Sequence, residues 1–560
     1  MEILGYITLT IFIGAMVLML FRKLNFPVQT VLVAVSLICL VIGAIFRFFS
    51  EGWVGVMLLP NEMIGGIILH PITALLGGLF LSGALSASGG FDALKVLIIR
   101  LQKTPIGLAG TLVILIQLPV IASLPCGRII AAALLPLLFA FGFEGGMGLL
   151  TKSQLIILIG SFARNAFGSC GPSPIGGVGQ IGEGFLGAFF PTASEGILRA
   201  PQAFSLMLGT ALTALFLKLI TSKLYPDGVS LRDLPEGSVT EKKETEARGS
   251  FKGYLSLVIF VATLLISIFQ PLGKMPVQTV LVAGGILMLF ACRISIRDLM
   301  NGIILLPVTA MASGFMAAGA LACTGGFEAL GNILKAFSSV PFLGVAGMLA
   351  IFVQVQTILP LACSRILTAA LVPVLYFFGP AKFDLITWPQ LAIVMAAYMI
   401  NATTSCGPSP LGGAGMMAEG TMRANTGYIK GAYTFSSMAI MAPMAAIYMK
   451  FLTLSSFSTS GLQIGRDVWL IIEFTLVIFV ANAIIIKLSS IVLSEDMDKN
   501  WLYQLLGFVI PGALGGAILA FCLYETALPR ILQGAIGGIV ASLLIALMVP
   551  KRLTPAETID

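Results

Sequence analysis

Apolar positions run through this chain in blocks too long for the helices of a soluble domain, with turn residues and charges gathered between them. In the first half the blocks are 3–21, 27–47, 58–88, 105–123, 129–143, 152–190 and 200–222. A helix needs about 20 mostly apolar residues to cross a bilayer, so most of these blocks predict transmembrane helices. The arms 105–123 and 129–143 are short and are joined by LPCGR at 124–128, a turn without a charge cluster. They predict a re-entrant hairpin with its tip at membrane depth. The block 152–190 carries SCGPSP in its middle. Proline removes a backbone donor and glycine costs about 1 kcal/mol against alanine, so this run predicts a break between two half-helices. Residues 91–103 are too charged to span and predict an amphipathic helix lying at the interface.

The pattern then repeats. NAFGSCGPSPIGGVGQIGEG at 165–184 returns as NATTSCGPSPLGGAGMMAEG at 401–420, identical at 13 of 20 positions. PVQTVL at 27–32 returns at 276–281, GGFD at 89–92 as GGFE at 325–328, and CGRI at 126–129 as CSRI at 363–366. The second hairpin falls at 341–360 and 366–378. The expected organisation is a first repeat at 1–224, a polar linker at 225–253, a second repeat at 254–455 and a three-helix extension at 456–560. The extension has apolar blocks at about 467–489, 503–523 and 531–549, and reads as a scaffold or oligomerisation element. The fold class expected is thus an all-α polytopic membrane protein. It has two repeats of five transmembrane helices plus a re-entrant hairpin, broken helices at the site, and three extra C-terminal helices. Five crossings is an odd number, so the second repeat is expected to be inverted. The basic residues agree: Arg22 and Lys23 precede the first PVQTVL run and only Lys274 precedes the second, whereas Arg47 alone follows the first and Arg293 and Arg297 follow the second. Basic residues favour cytoplasmic loops, so this reversal is what opposite orientations require. The N-terminus is placed outside, with the linker and C-terminus in the cytoplasm.

Composition strengthens the membrane reading. The 560 residues are 58% hydrophobic and 10% charged, against about 25% charged in soluble domains. The net charge of +7 is read as basic cytoplasmic loops rather than as a nucleic-acid surface. Eight cysteines and one histidine, His70, show no metal-ligand spacing, and the first apolar run lacks the basic flank of a cleavable leader. No phosphate-binding loop and no nucleophile–base set is evident, so neither catalysis nor ATP-driven pumping is expected and no cofactor is implied.

The candidate chemistry gathers at the hairpin tips and the breaks. Arg128 and Arg365 hold equivalent places beside Cys126 and Cys363. An intramembrane arginine is costly unless it faces a cavity or a partner, and two guanidiniums near a midplane could clamp a carboxylate. They could equally pair within the protein, with Glu183, Glu419 or hairpin carbonyls. Ser169, Ser173, Ser405 and Ser409 flank the breaks and are assigned with Cys126 and Cys363 to the substrate. Asn165, Asn401, Gly171, Gly407 and Thr404 are assigned to a cation, because broken helices present carbonyls at one half-helix end and amide donors at the other. No metal other than Na+ is expected. Glu183 and Glu419 are candidates for a coupling proton or for salt bridges. Arg164 has Ile400 as its counterpart and could break the symmetry of the site.

Hairpins and broken helices in this order, twice and inverted, resemble the ion transporter superfamily, in architecture nearest to its divalent-anion/sodium symporters. The resemblance covers about 1–455. That family carries Ser-Asn-Thr signatures at its hairpin tips, where this chain has LPCGR at 124–128 and LACSR at 361–365. It implies an elevator motion of hairpins and broken helices against a dimerising scaffold, and hence a homodimer. The function expected is secondary active transport of a small anion, an organic (di)carboxylate, coupled to Na+ or H+, in a bacterial inner membrane. The alternatives are a cation/proton antiporter of the same superfamily and a permease subunit working with a partner protein.

Overall fold

The computed structural model describes residues 2–20, 28–65, 69–101, 103–121, 138, 152–168, 171, 177–189, 197–220, 224–225, 250–269, 275–302, 306–356, 364–380, 382–404, 440–456, 492–493, 501–524 and 527–548. Among these the chain is all-α apart from a two-residue antiparallel ladder, in which Leu224 and Tyr225 pair with Leu493 and Val492. The first half contributes α1 (Glu2–Leu20), α2 (Val28–Gly65), α3 (Leu69–Ala87), α4 (Gly90–Leu101), α5 (Gly107–Ile121), α6 (Lys152–Gly168), α7 (Gly177–Phe189) and α8 (Arg199–Ile220). The second contributes α9 (Phe251–Phe269), α10 (Val277–Ala291), α11 (Ile296–Gly302), α12 (Leu306–Cys323), α13 (Gly326–Ser338), α14 (Gly344–Val355), α15 (Ser364–Phe378), α16 (Trp388–Thr404) and α17 (Ala442–Ser456). Two C-terminal helices follow, α18 (Trp501–Tyr524) and α19 (Leu528–Met548).

One described helix, α2, holds a segment long and apolar enough to cross a membrane, Gln29–Ile64. It is not straight. Gly52 sits at φ 69°, ψ −159°, a conformation essentially reserved for glycine, and there the helix folds back on itself. The fold-back is clasped by Arg47, whose two terminal nitrogens reach the two carboxylate oxygens of Glu62 at 3.0 and 2.6 Å. In a straight helix those residues would lie about 22 Å apart at 1.5 Å per residue. Arg47 also donates to the carbonyl of Cys323 on α12, 3.0 Å away. The expected span at 58–88 falls on the return arm, which reaches Gly65, and on α3, which begins at Leu69. The reversal at Gly52 lies between the expected blocks 27–47 and 58–88.

Helices of the two halves exchange partners. α1 packs on α13 while its counterpart α9 packs on α4, and α2 packs on α12 while α10 packs on α3. The exchange extends to single atoms. A Cβ on Gly5 would lie 2.3 Å from the carbonyl oxygen of Gly325, and one on Gly253 would lie 2.6 Å from that of Gly89. Gly89 and Gly325 open the same repeated GGF motif. Reciprocal contact of this kind is the signature of a two-fold-related interface.

The core is built around α16, in which Leu391 to Ile400 are all buried. It touches α6, α7, α8, α14, α15, α17 and α18. Phe352 of α14 stacks on Tyr398 of α16 with ring centroids 5.5 Å apart and meets Phe378 of α15 edge-on at 6.3 Å. The C-terminal pair is locked by backbone approach: Cβ atoms on Gly534 and Gly538 would lie 2.4 and 1.9 Å from the carbonyl oxygens of Gly516 and Gly512. Glycines spaced by four on both helices let the axes come this close. The pair docks on α14, where a Cβ on Gly537 would lie 2.1 Å from the Gly347 carbonyl oxygen. Gln533 secures the end of that contact by donating to Pro341 O at 2.9 Å.

Candidate functional site

The site is built from α6 and α16, the helices that lead into the two copies of the duplicated break. α6 ends at Gly168, and the chain turns at once, with the amide of Gly171 donating to the Gly168 carbonyl at 3.1 Å. Tightness requires the first glycine: a Cβ on Gly168 would lie 2.2 Å from Cδ1 of Leu206 on α8. The second half-helix, α7, starts at Gly177 and lies against α16. Gly182 makes that approach possible, since a Cβ there would lie within 2.3 Å of Sδ and Cε of Met399.

The two asparagines that open the repeated motif make equivalent hydrogen bonds. Asn165 donates from Nδ2 to the carbonyl of Ile116 on α5 at 2.7 Å, and Asn401 donates from Nδ2 to the carbonyl of Val353 on α14 at 2.9 Å. Both asparagines are fully buried. In α5 the acceptor stands three residues before Pro119, whose ring cannot supply an amide hydrogen to a helical bond. Asn165 has two further partners: its Nδ2 reaches Oε1 of Gln117 at 3.2 Å, and its Oδ1 accepts from the hydroxyl of Thr210 on α8. It therefore ties α5, α6 and α8 into one unit. Arg164, the neighbour of Asn165, is buried and donates to the thioether sulfur of Met441.

The first break meets the end of α16, the helix that opens the second copy of the motif. A Cβ on Gly171, in the first break, would lie 2.9 Å from Cγ2 of Thr403, two residues after Asn401 in the second copy, and 2.6 Å from Oε1 of Gln202 on α8. Thr403 is buried, and its hydroxyl donates back to the Ile400 carbonyl at 2.6 Å. Among the described residues neither the oxygen nor the nitrogen of the Gln202 amide has a hydrogen-bond partner, although the side chain is fully buried.

No protein-family model matches this chain, and no curated protein matches it. The site therefore rests on its own geometry.

Of the residues singled out from sequence, Asn165, Asn401, Gly171 and Glu183 are described with their surroundings, and the first three lie on the central helices or at the first break. Glu183 stands apart from the Asn165 bonds: its Oε1 accepts from the Leu198 amide at 3.3 Å, just before α8 begins. A carboxylate there complements the positive end of the α8 dipole. Arg365 is the second residue of α15 and Thr404 the last of α16. Cys126, Arg128, Ser169, Ser173, Cys363, Ser405, Gly407, Ser409 and Glu419 lie outside the described residues. Sequence reasoning missed Gln117, Thr210 and Gln202. Gln117 had a usable signal, a glutamine in an apolar arm that returns as Gln354 in the second copy. Gln202 had none, because it lies beyond the duplicated stretch 165–184.

Proposed function

We propose that this chain is a polytopic membrane transporter, a secondary active carrier of a small anion, and most specifically of an organic carboxylate coupled to Na+ or H+. One observation carries the reading. The turn of the first helix-breaking motif meets, through Gly171 and Thr403, the buried helix that opens the second copy, 236 residues away in sequence (165 to 401). Irregular backbone at membrane depth is tolerated only where protein buries it or where it lines a wet cavity, and paired broken helices are how many carriers build a midplane site.

Three further features support it. Large apolar side chains face outward, Phe49 at 83% and Met57 at 73% exposure among them, and a solvent of lipid accounts for such a surface. The reciprocal Gly5–Gly325 and Gly253–Gly89 contacts suit two inverted repeats that share a two-fold axis in the membrane plane. Arg164, buried in the core one residue before Asn165, supplies positive charge near the break, and a membrane-buried arginine is a functional group by default. In this reading Arg128 and Arg365 add the carboxylate clamp, and the half-helix amides and carbonyls divide between anion and cation. An elevator-type movement and a homodimer complete the proposal.

The test is uptake into proteoliposomes of radiolabelled mono-, di- and tricarboxylates under separately imposed sodium and proton gradients. Accumulation of an acid that follows one gradient supports symport. Cation-driven pH changes inside the vesicles without uptake of any acid would replace it with antiport.

A further inference from the structure

We infer that Gln202 is the specificity-determining side chain of this site, and that it selects a carboxylate carrying a neighbouring hydroxyl. The inference rests on the transport reading above.

A buried side-chain amide offers two donors and one strong acceptor, and such groups are almost always paired. Gln202 is fully buried and both ends of its amide are without a partner among the described residues. It is not buried at random: Oε1 lies against Gly171, in the turn of the first break, where the Thr403 methyl also arrives from the other half. The neighbouring polar side chains on α8 have partners. The nearby Ser205 returns its hydroxyl to the Pro201 carbonyl at 2.5 Å, and Thr210 is taken up by Asn165 and the Leu206 carbonyl. The open hydrogen-bonding capacity on this stretch of α8 is therefore that of Gln202.

The amide also settles what the ligand must offer. Whichever way it is turned, it directs both donor and acceptor capacity at the break. A bare carboxylate brings only acceptors and would leave the amide oxygen unpaired. A 2-hydroxycarboxylate brings a carboxylate oxygen for Nε2 and a hydroxyl proton for Oε1, so both are satisfied at once. A site built to hydrogen-bond a hydroxyl discriminates strongly against an analogue lacking it, because its own polar group is then stranded.

The experiment compares uptake of labelled 2-hydroxysuccinate and succinate by the full chain in proteoliposomes, for wild type and for Gln202→Met, with folding checked by gel filtration. One hydrogen bond corresponds to a preference of about tenfold for the hydroxy acid in the wild type, falling towards unity in Gln202→Met. Should Gln202→Met not fold, Gln202→Asn draws the amide back by one methylene and is expected to lower the preference in the same direction. A wild type without preference, or a variant of either kind with undiminished preference, overturns the assignment while leaving transport intact. A wild type that accumulates neither acid under either gradient overturns the transport reading for these substrates, and the assignment with it.

Discussion

At the scale of residues, Asn165 shows how a polar group can tie a helix break to its neighbours. Its amide nitrogen is directed to Ile116 O and Gln117 Oε1, and its oxygen receives Thr210. Asn165→Ala leaves a buried carbonyl and a buried hydroxyl to find other partners. We expect it to lower stability by about 1–3 kcal/mol, read as a fall in Tm in detergent. An unchanged Tm would mean that the hydrogen bonds are not structural. Gly171 is constrained differently. A methyl there meets Gln202 Oε1 at 2.6 Å and the Thr403 methyl at 2.9 Å. Thr403 is β-branched on a buried helix and has little room to yield, so Gly171→Ala is expected to cost about 1–3 kcal/mol by overpacking and to reduce uptake. Uptake and Tm both at wild-type levels would contradict the contact. Duplication makes Asn165 and Asn401 legible as equivalents from the amino-acid sequence alone. Gln202 is not legible in that way, because it lies beyond the duplicated stretch.

Between elements, the exchange of helices is the feature with the clearest consequence. Gly5 meets the Gly325 carbonyl and Gly253 meets the Gly89 carbonyl at nearly the same separation. Backbone cannot move aside as a flexible side chain would. Gly5→Ala and Gly253→Ala are therefore expected to destabilise by similar amounts, of the order of 1–3 kcal/mol each, measured by thermal unfolding of the two variants side by side. A large effect of one and none of the other would show that the two contacts are not equivalent. The extents of α1, α18 and α19 follow the apolar blocks closely, because each block is bounded by charges, proline or glycine. The gap between the blocks 27–47 and 58–88, which holds Ser50, Glu51 and Gly52, marks the reversal in the sequence; the Arg47–Glu62 clasp that closes it is hidden, because nothing in the sequence pairs those two residues. Partner exchange is hidden likewise, since a repeat states which helices correspond but not which ones touch.

For the whole molecule, the account predicts opposite orientations for equivalent segments. Glu51 and Arg297 are both exposed and follow the two copies of the PVQTVL helix. With the native cysteines replaced, Glu51→Cys in intact cells is expected to react with a membrane-impermeant thiol reagent, and Arg297→Cys only after the membrane is opened. Labelling of both from the same side would rule out inversion. The C-terminal pair α18 and α19 sits on α14 through Gly347 and Gly537, which ties the extension to the first arm of the second expected hairpin. The central claim, however, is that the junction of the first break with α16 is a transport site. Its most direct test is accumulation of labelled carboxylates by the purified chain in proteoliposomes under a sodium or a proton gradient. The account predicts uptake of at least one acid that rises with one gradient, collapses when that gradient is dissipated, and is impaired in Gly171→Ala. Properly inserted, folded protein that accumulates no acid under either gradient would contradict it.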